Sequence, residues 1–79
     1  MKIKILGPGC SRCTTLERIT RDAIAEMGIT AEIEKEEDII KIMNFGILHT
    51  PGLVINEKLI LSGRIPSTDE MKEIITKNQ

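Results

Sequence analysis

Residues 6 to 20 read LGPGCSRCTTLERIT and contain both cysteines of the chain, Cys10 and Cys13. The segment before them, Lys2 to Leu6, alternates apolar and polar side chains and stops at a Gly-Pro-Gly turn, which predicts a strand entering a tight loop. The segment after them, Ser11 to Met27, has apolar residues at helical spacing and is followed by Gly28, which is typical of the residue that ends a helix. The cysteines are therefore predicted to lie between a strand and the start of the longest helix.

The two cysteines are expected to differ in exposure. Counting back from Leu16 along the apolar stripe of the helix leads to Cys13, whereas Cys10 falls at or before the helix start. The pattern predicts that Cys10 is the accessible thiol and Cys13 the sheltered one. Unpaired backbone N–H groups and the positive end of a helix dipole stabilise a thiolate, so Cys10 is the predicted nucleophile. We expect Arg12 to tune this thiolate only modestly, because water screens an exposed cation.

A C-x-x-C pair supports two chemistries, and the motif alone leaves both open. In disulfide exchange, Cys10 would attack a substrate disulfide and Cys13 would resolve the resulting mixed disulfide. Alternatively, the two sulfurs could form the two-coordinate site of a soft-metal carrier for copper or zinc, or half of a zinc site. A variant of the metal hypothesis is a dimer linked by a metal, with two sulfur ligands from each chain.

The rest of the chain predicts an α/β fold with the element order strand, helix, strand, helix, strand, strand, helix. A strand is expected over Ile29 to Glu36, and a short helix over about Glu37 to Asn44. The pattern suggests that this short helix buries Ile39, Ile40 and Met43. A hairpin is expected over Leu53 to Leu61, and a last helix after the S-x-x-E capping box that starts at Ser67. These elements give a four-stranded mixed sheet with helices on both faces.

Composition restricts the class of protein and its partners. A chain of 79 residues supports a single domain, residues 1–79. Its 11 basic and 12 acidic residues are mixed along the chain, so neither nucleic acid nor an anionic membrane is an expected partner. No apolar run approaches the ~18 residues of a membrane span, and the apolar run at the N-terminus is too short for a signal peptide. We therefore expect a cytoplasmic protein, where C-x-x-C indicates redox activity or metal binding.

A second motif, HTPGLVI, places Thr50 and Pro51 immediately before a predicted strand. With G-C-x-x-C at the helix start and S-G-R-I-P-S before the last helix, the sequence resembles the thioredoxin-like superfamily over essentially its full length. It is most similar to the small archaeal and bacterial thioredoxin or glutaredoxin-like proteins called redox-active disulfide proteins. The resemblance implies a thioredoxin-like fold and a thiol–disulfide oxidoreductase that carries electrons to protein disulfides through Cys10 and Cys13, with no cofactor other than that disulfide.

The resemblance also implies further site residues and partners. Pro51 is expected to be cis and to face the two cysteines, and the backbone of Thr50 is expected to pair with an extended segment of the substrate. Gly63 looks like the glycine that permits a close backbone approach near the dithiol, although a plain turn glycine is an equal alternative. The expected partners are disulfide-containing proteins and a separate reductase of the thioredoxin-reductase type, acting on a monomer.

Three features depart from the family's patterns. Ser11 and Arg12 stand where thioredoxins have Gly-Pro between the cysteines, so the reduction potential is not carried over. The first strand has no acidic residue to accept the proton of the resolving thiol, which leaves the proton acceptor of Cys13 unassigned. Glutathione as the reductant is unsupported, because Ile65-Pro66-Ser67 replaces the acidic contact common in glutaredoxins. We assign His49 no role, and expect no metal site there.

Overall fold

Seven elements follow one another in the order that the sequence predicts. The structure, a computed structural model, describes residues 1–9 and 11–79. The four strands are β1 (Lys2–Leu6), β2 (Glu32–Glu36), β3 (Gly52–Ile55) and β4 (Lys58–Ser62). The three helices are α1 (Ser11–Met27), α2 (Ile39–Asn44) and α3 (Thr68–Lys77).

The strands form one mixed sheet in the order β2-β1-β3-β4. Strands β1 and β2 are parallel, with Ile3 opposite Ile33, and this pairing requires the long crossover that α1 provides. Strand β3 lies antiparallel to both β1 and β4. The predicted α/β fold with a four-stranded mixed sheet is confirmed.

Helices cover both faces of the sheet, as predicted, but they bury different amounts of it. Side chains of α1 and α3 pack with one face of β1 and β3 in the larger core. That core includes Ile3, Ile5, Leu16, Ala23, Leu53, Ile55, Met71 and Ile75. On the other face, α2 and the segment after it pack on a smaller cluster, which consists of Leu6, Ile42, Ile47 and Val54.

The predicted hairpin forms between β3 and β4, and its turn contains an unusual residue. Asn56 and Glu57 have φ angles of 49° and 70°, and two successive positive φ values characterise the tight type I′ turn. Glutamate rarely adopts this conformation, whereas asparagine does so readily. The turn is tied to β1, because the Asn56 N–H donates to the Lys2 carbonyl at 2.8 Å and its side-chain oxygen accepts from the Lys2 N–H at 3.0 Å.

The cap of α3 also follows the sequence signal. Ser67 is the N-terminal cap, and its hydroxyl accepts a hydrogen bond from the Glu70 N–H at 3.1 Å. The reciprocal half of the capping box is replaced, since the Glu70 carboxylate accepts two hydrogen bonds from the Arg64 guanidinium. Arg64 thereby connects the segment after β4 to the first turn of α3.

Strand β2 is shorter than the alternation of Ile29 to Glu36 predicts, and begins at Glu32. The cause is its partner strand. Lys2 is the first residue of β1 and lies opposite Glu32, and the Glu32 N–H donates to the carbonyl of Met1 at 2.9 Å. Residues before Glu32 therefore have no neighbouring strand to pair with, although Ile29 and Ala31 still pack against the larger core.

The prediction for the buried side of α2 is wrong. The helix begins at Ile39 rather than Glu37, because Asp38 caps it through a hydrogen bond from the Ile40 N–H to the Asp38 carboxylate at 2.9 Å. Ile42 is the buried residue of this helix. The side chains predicted to be buried are instead exposed: Ile39 by 54%, Ile40 by 68% and Met43 by 65%. In so short a helix, apolar residues cover most of the circumference, so their spacing does not identify the buried side.

Candidate active site

Cys13 lies in the first turn of α1 and is buried, with 6% of its surface exposed. Its position on the inner side of α1 agrees with the prediction that it is the sheltered thiol. The sulfur packs against the backbone of Gly7, at the end of β1, so closely that a Cβ atom at Gly7 would overlap the Cys13 Sγ. Glycine at position 7 is therefore required for this thiol to sit beside the strand. The predicted nucleophile, Cys10, lies outside the described residues.

The loop before β3 carries the second predicted motif. The Thr50–Pro51 peptide bond is cis. Pro51 is buried, while Thr50 is only half-buried at the surface. Within residues 1–9 and 11–79, neither the N–H nor the carbonyl of Thr50 forms a backbone hydrogen bond with another residue. The peptide edge of Thr50 is thus left available to a partner.

Hydrogen bonds connect this loop to Gly63 and to the helix that carries Cys13. The Gly63 N–H donates to the Pro51 carbonyl at 2.8 Å. The Gly63 carbonyl in turn accepts a hydrogen bond from the Arg12 guanidinium (Nη2) at 3.1 Å. Arg12 belongs to the first turn of α1, next to Cys13. The structure therefore connects Arg12, Pro51 and Gly63, which the sequence places in three separate segments.

The backbone conformation and the surroundings of Gly63 both restrict this position to a small residue. Its φ of +74° lies in the region that favours glycine, and a Cβ at this position would lie 2.7 Å from the Cβ of His49. Both observations favour glycine at position 63. His49 itself is exposed and packs beside Gly63.

An open groove runs beside this loop and encloses about 700 Å³. It lies between α2, the first turn of α1 and the loop before β3. The groove is lined by Arg12, Ile39, Ile42, Met43, Ile47, Leu48, His49, Thr50 and Gly63. Leu48 has 86% of its surface exposed, so the lining includes apolar side chains that no part of the described chain covers. Arg12 is the cation of this lining, and no acidic residue is among the described residues that form it.

A second, much smaller recess lies on the opposite face of the sheet, beside Cys13. It is bounded by Gly7 and Gly9 on one side and by Lys35 and Glu37 on the other, and its volume is about 10 Å³. Lys35 is held in place by an ion pair with Glu17 of α1, with Nζ and Oε1 3.1 Å apart. Hydrogen bonds that Lys35 and Arg21 donate to the Glu17 carboxylate hold the pKa of this carboxyl below its usual value.

Sequence reasoning missed two groups of residues at this site. Ile39, Met43 and Leu48 line the groove, although the first two were expected in the core. Glu37 was expected to begin the short helix, yet it lies outside α2 and borders the recess beside Cys13. The usable signal was the cap: Asp38 starts the helix one residue later and leaves Glu37 in the connection.

In residues 1–9 and 11–79, histidine, cysteine and acidic side chains nowhere form a group of three or more that could hold a metal. None of the described helices is both long and apolar enough to cross a bilayer.

Comparison with known proteins gives the same class as the fold. Residues 1–76 match the thioredoxin domain family. The chain is 41% identical over 76 residues to a thioredoxin of Methanothermobacter thermautotrophicus, covering 96% of this chain and 99% of that one. It is 37% identical over 71 residues to a thioredoxin of Methanocaldococcus jannaschii, covering 90% and 81% of the two chains. A probable thioredoxin of Archaeoglobus fulgidus is 30% identical over 74 residues, covering 90% of this chain and 80% of the other. The chain therefore belongs to the thioredoxin domain family.

Proposed function

We propose that this protein is a small thiol–disulfide oxidoreductase that transfers electrons to disulfides of other proteins. Cys10 is the nucleophile and Cys13 the resolving thiol. The Cys10 thiolate attacks one sulfur of the substrate disulfide, forms a mixed disulfide and releases the first substrate thiolate. The Cys13 thiolate then attacks the Cys10 sulfur and releases the second substrate thiolate. Two electrons thereby pass from the dithiol to the substrate. The Cys10–Cys13 disulfide that remains is the protein's only redox group.

One observation carries this proposal: the hydrogen bonds that run from Arg12 through Gly63 to Pro51. They fix the first turn of α1, which holds Cys13, beside a loop in which the Thr50 backbone pairs with none of the described residues. A mixed disulfide requires the substrate backbone to be held within reach of the thiol, and an extended segment can pair with such an edge. Thr50, Pro51 and Gly63 are thus the proposed substrate platform, and Arg12 positions it in addition to its weak effect on the thiolate.

The groove beside Thr50 is the proposed binding site for the rest of that substrate segment. Ile39, Met43 and Leu48 offer apolar contacts that no described residue covers. Arg12 supplies the one positive charge of the described lining. We therefore expect protein substrates whose disulfide lies in an extended segment with an apolar side chain and an acidic residue near it.

The partners follow from the chemistry. A protein that leaves each cycle as a disulfide must be reduced again, and the sequence has no dinucleotide-binding fingerprint of its own. The proposed electron donor is a separate reductase of the thioredoxin-reductase type. We propose a monomer of one domain that acts in the cytoplasm, where such a reductase keeps dithiols reduced.

The competing proposal is a soft-metal carrier that uses the same two cysteines. Such carriers continue from the first helix with strand, strand, helix, strand, whereas here α2 stands between β2 and β3. The Thr50–Pro51 loop also has no role in holding a metal by two sulfurs. These observations favour disulfide exchange over metal transport.

The proposal is tested by trapping the mixed disulfide. Substituting Cys13→Ser removes the resolving thiol, so incubation with a disulfide-containing protein such as insulin should leave the substrate covalently attached to Cys10. Cys10→Ser is the matched control, which should give no adduct although it retains one thiol. Intact mass before and after a reductant reads the result. Equal adducts with both variants, or none with Cys13→Ser, would reject the proposed roles.

A further inference from the structure

The recess beside Cys13 has the size and the lining of a proton-transfer site. Its volume of about 10 Å³ is near the minimum that holds one water molecule. Cys13, Thr14, Lys35 and Glu37 all border it, so a water there would have polar partners on both sides. It lies on the α1 face of the sheet, away from the substrate groove, where a proton could leave while substrate is bound.

Glu37 reaches this recess from the connection between β2 and α2. A Cβ atom at Gly9 would lie 3.7 Å from the Glu37 Oε2, so the carboxylate lies beside the loop residue that precedes Cys10 in the sequence. Glu37 is exposed to solvent on its other side. A carboxylate with one side on a buried thiol's recess and the other on bulk water can accept a proton and pass it on.

Other charged groups near Cys13 do not offer this route. Arg12, on the same helix, is engaged with the Gly63 carbonyl. Lys35 borders the recess, but its ammonium carries no lone pair to accept a proton and is paired with Glu17. On the β1 side, the sulfur faces Gly7, which has no side chain. Among the described residues that line the recess, Glu37 is therefore the side chain that can accept this proton.

We propose that Glu37 is the proton acceptor for Cys13 during resolution of the mixed disulfide, an inference that rests on the proposed oxidoreductase function. The Cys13 thiol gives its proton, directly or through one water, to the Glu37 carboxylate. The Cys13 thiolate attacks the Cys10 sulfur, the bond from Cys10 to the substrate sulfur breaks, and the substrate leaves as a thiolate. Glu37 then returns the proton to solvent, which protonates the departing thiolate.

Removal of Glu37 should change the rate of resolution in opposite directions for a proton acceptor and for a purely electrostatic effect. If Glu37 acted only as a nearby negative charge, its removal would favour the Cys13 thiolate and accelerate resolution near neutral pH. If Glu37 accepts the proton, its removal slows resolution. The direction of the change therefore distinguishes the two roles, and a structural effect alone would change both steps of the reaction.

The experiment uses stopped-flow reaction of the reduced protein with Ellman's reagent, which releases one thionitrobenzoate when Cys10 attacks and a second when Cys13 resolves. Glu37→Gln should leave the first phase unchanged and slow the second phase at pH 7 by about tenfold or more, given that a positioned acid or base contributes roughly 10²–10⁴-fold. Added imidazole should accelerate the second phase of Glu37→Gln but not of the wild type. Glu34→Gln is the matched control, since Glu34 is an exposed glutamate of β2 outside the recess.

Each result has one meaning. Slowing of the second phase alone, with rescue by imidazole, supports Glu37 as the acceptor. An unchanged or faster second phase in Glu37→Gln overturns the inference while leaving the oxidoreductase proposal intact. Absence of a second phase in the wild type would instead overturn the oxidoreductase proposal, because Cys13 would not resolve the adduct on Cys10. Equal slowing in Glu34→Gln would show a general charge effect and also overturn the inference.

Discussion

The two faces of the sheet are built from similar side chains but use them differently. On the α1 and α3 face, isoleucine, leucine and methionine are enclosed, and Leu16, Met71 and Ile75 have no exposed surface. On the α2 face, the short helix buries Ile42 and leaves Ile39 and Met43 open to solvent. The first face provides most of the apolar burial that stabilises a small domain. The second leaves apolar surface free beside the Thr50–Pro51 loop, as a binding surface requires.

The largest expected difference between the faces is in stability. Ile75→Ala removes a fully buried side chain and should lower the free energy of unfolding by about 2–5 kcal/mol. Ile40→Ala, the same change on α2 at a site that is 68% exposed, should alter it by less than about 0.5 kcal/mol. Urea denaturation of both variants measures the difference. If Ile75→Ala does not fold, Ile75→Val should still cost about 0.5–1.5 kcal/mol, and comparable losses at both positions would contradict the distinction.

The groove provides the next largest effect, on substrate binding. Met43→Ser with Leu48→Ser removes two exposed apolar contacts and should raise KM for a protein disulfide by about tenfold, since burial of such a side chain is worth roughly 1.5–3 kcal/mol when complete. Reaction with Ellman's reagent, which is too small to fill the groove, should be unchanged. Ile40→Ser is the matched control, because Ile40 is exposed on the same helix but does not line the groove. An equal rise in KM for the control would argue against specific binding of the substrate in the groove.

Substitution of Gly63 tests whether the substrate platform requires the close packing of Gly63 against His49. Gly63→Ala adds a Cβ at φ +74° that would also overlap the His49 Cβ. We expect a loss of stability above the roughly 1–2 kcal/mol that a left-handed backbone costs an L-residue, together with lower activity. Gly46→Ala is the matched control, since Gly46 has φ +82° with nothing near its Cβ position. Thermal denaturation and insulin reduction compare the two variants. Equal losses of stability and activity in Gly63→Ala and Gly46→Ala would show that the His49 contact is unimportant.

The smallest expected effect is the pH dependence of two surface ion pairs. Hydrogen bonds from Lys35 and Arg64 hold the pKa values of the Glu17 and Glu70 carboxyls, respectively, below their usual value in the folded protein. Because the folded pKa is the lower one, this stabilisation is present above the unfolded pKa and is lost as the pH falls through the folded value. A surface pair such as that of Glu17, whose partner Lys35 is half exposed, is worth about 0.2–1 kcal/mol. Glu17→Gln should therefore reduce the loss of stability between pH 6 and pH 3, measured by urea denaturation, and an unchanged slope would contradict this.

The sequence was informative where one residue or one long pattern settled the structure. The stripe of α1 over Ser11 to Met27, ended by Gly28, predicted both the helix and the burial of Cys13. The hairpin and the Ser67 cap were likewise readable from local chemistry.

The sequence was less informative where contacts between distant segments determine the position of a residue. The buried side of α2 depends on which side chain reaches the smaller core, and six residues rich in apolar side chains do not specify this. The position of Glu37 beside Gly9 joins the end of β2 to the loop after β1, so no local pattern identifies it. For the same reason, the hydrogen bonds from Arg12 to Gly63 and from Gly63 to Pro51 became apparent only in the folded chain.

The central claim, that Cys10 and Cys13 form one redox couple, is tested most directly by titrating the metal-free protein in graded thiol–disulfide buffers. Samples are quenched by alkylation and the number of modified cysteines is read by intact mass. We predict a single two-electron transition between dithiol and intramolecular disulfide, with a midpoint between about −120 and −280 mV. Failure to form the intramolecular disulfide, or isolation of the protein with stoichiometric metal that blocks alkylation, would contradict the claim and favour the metal carrier.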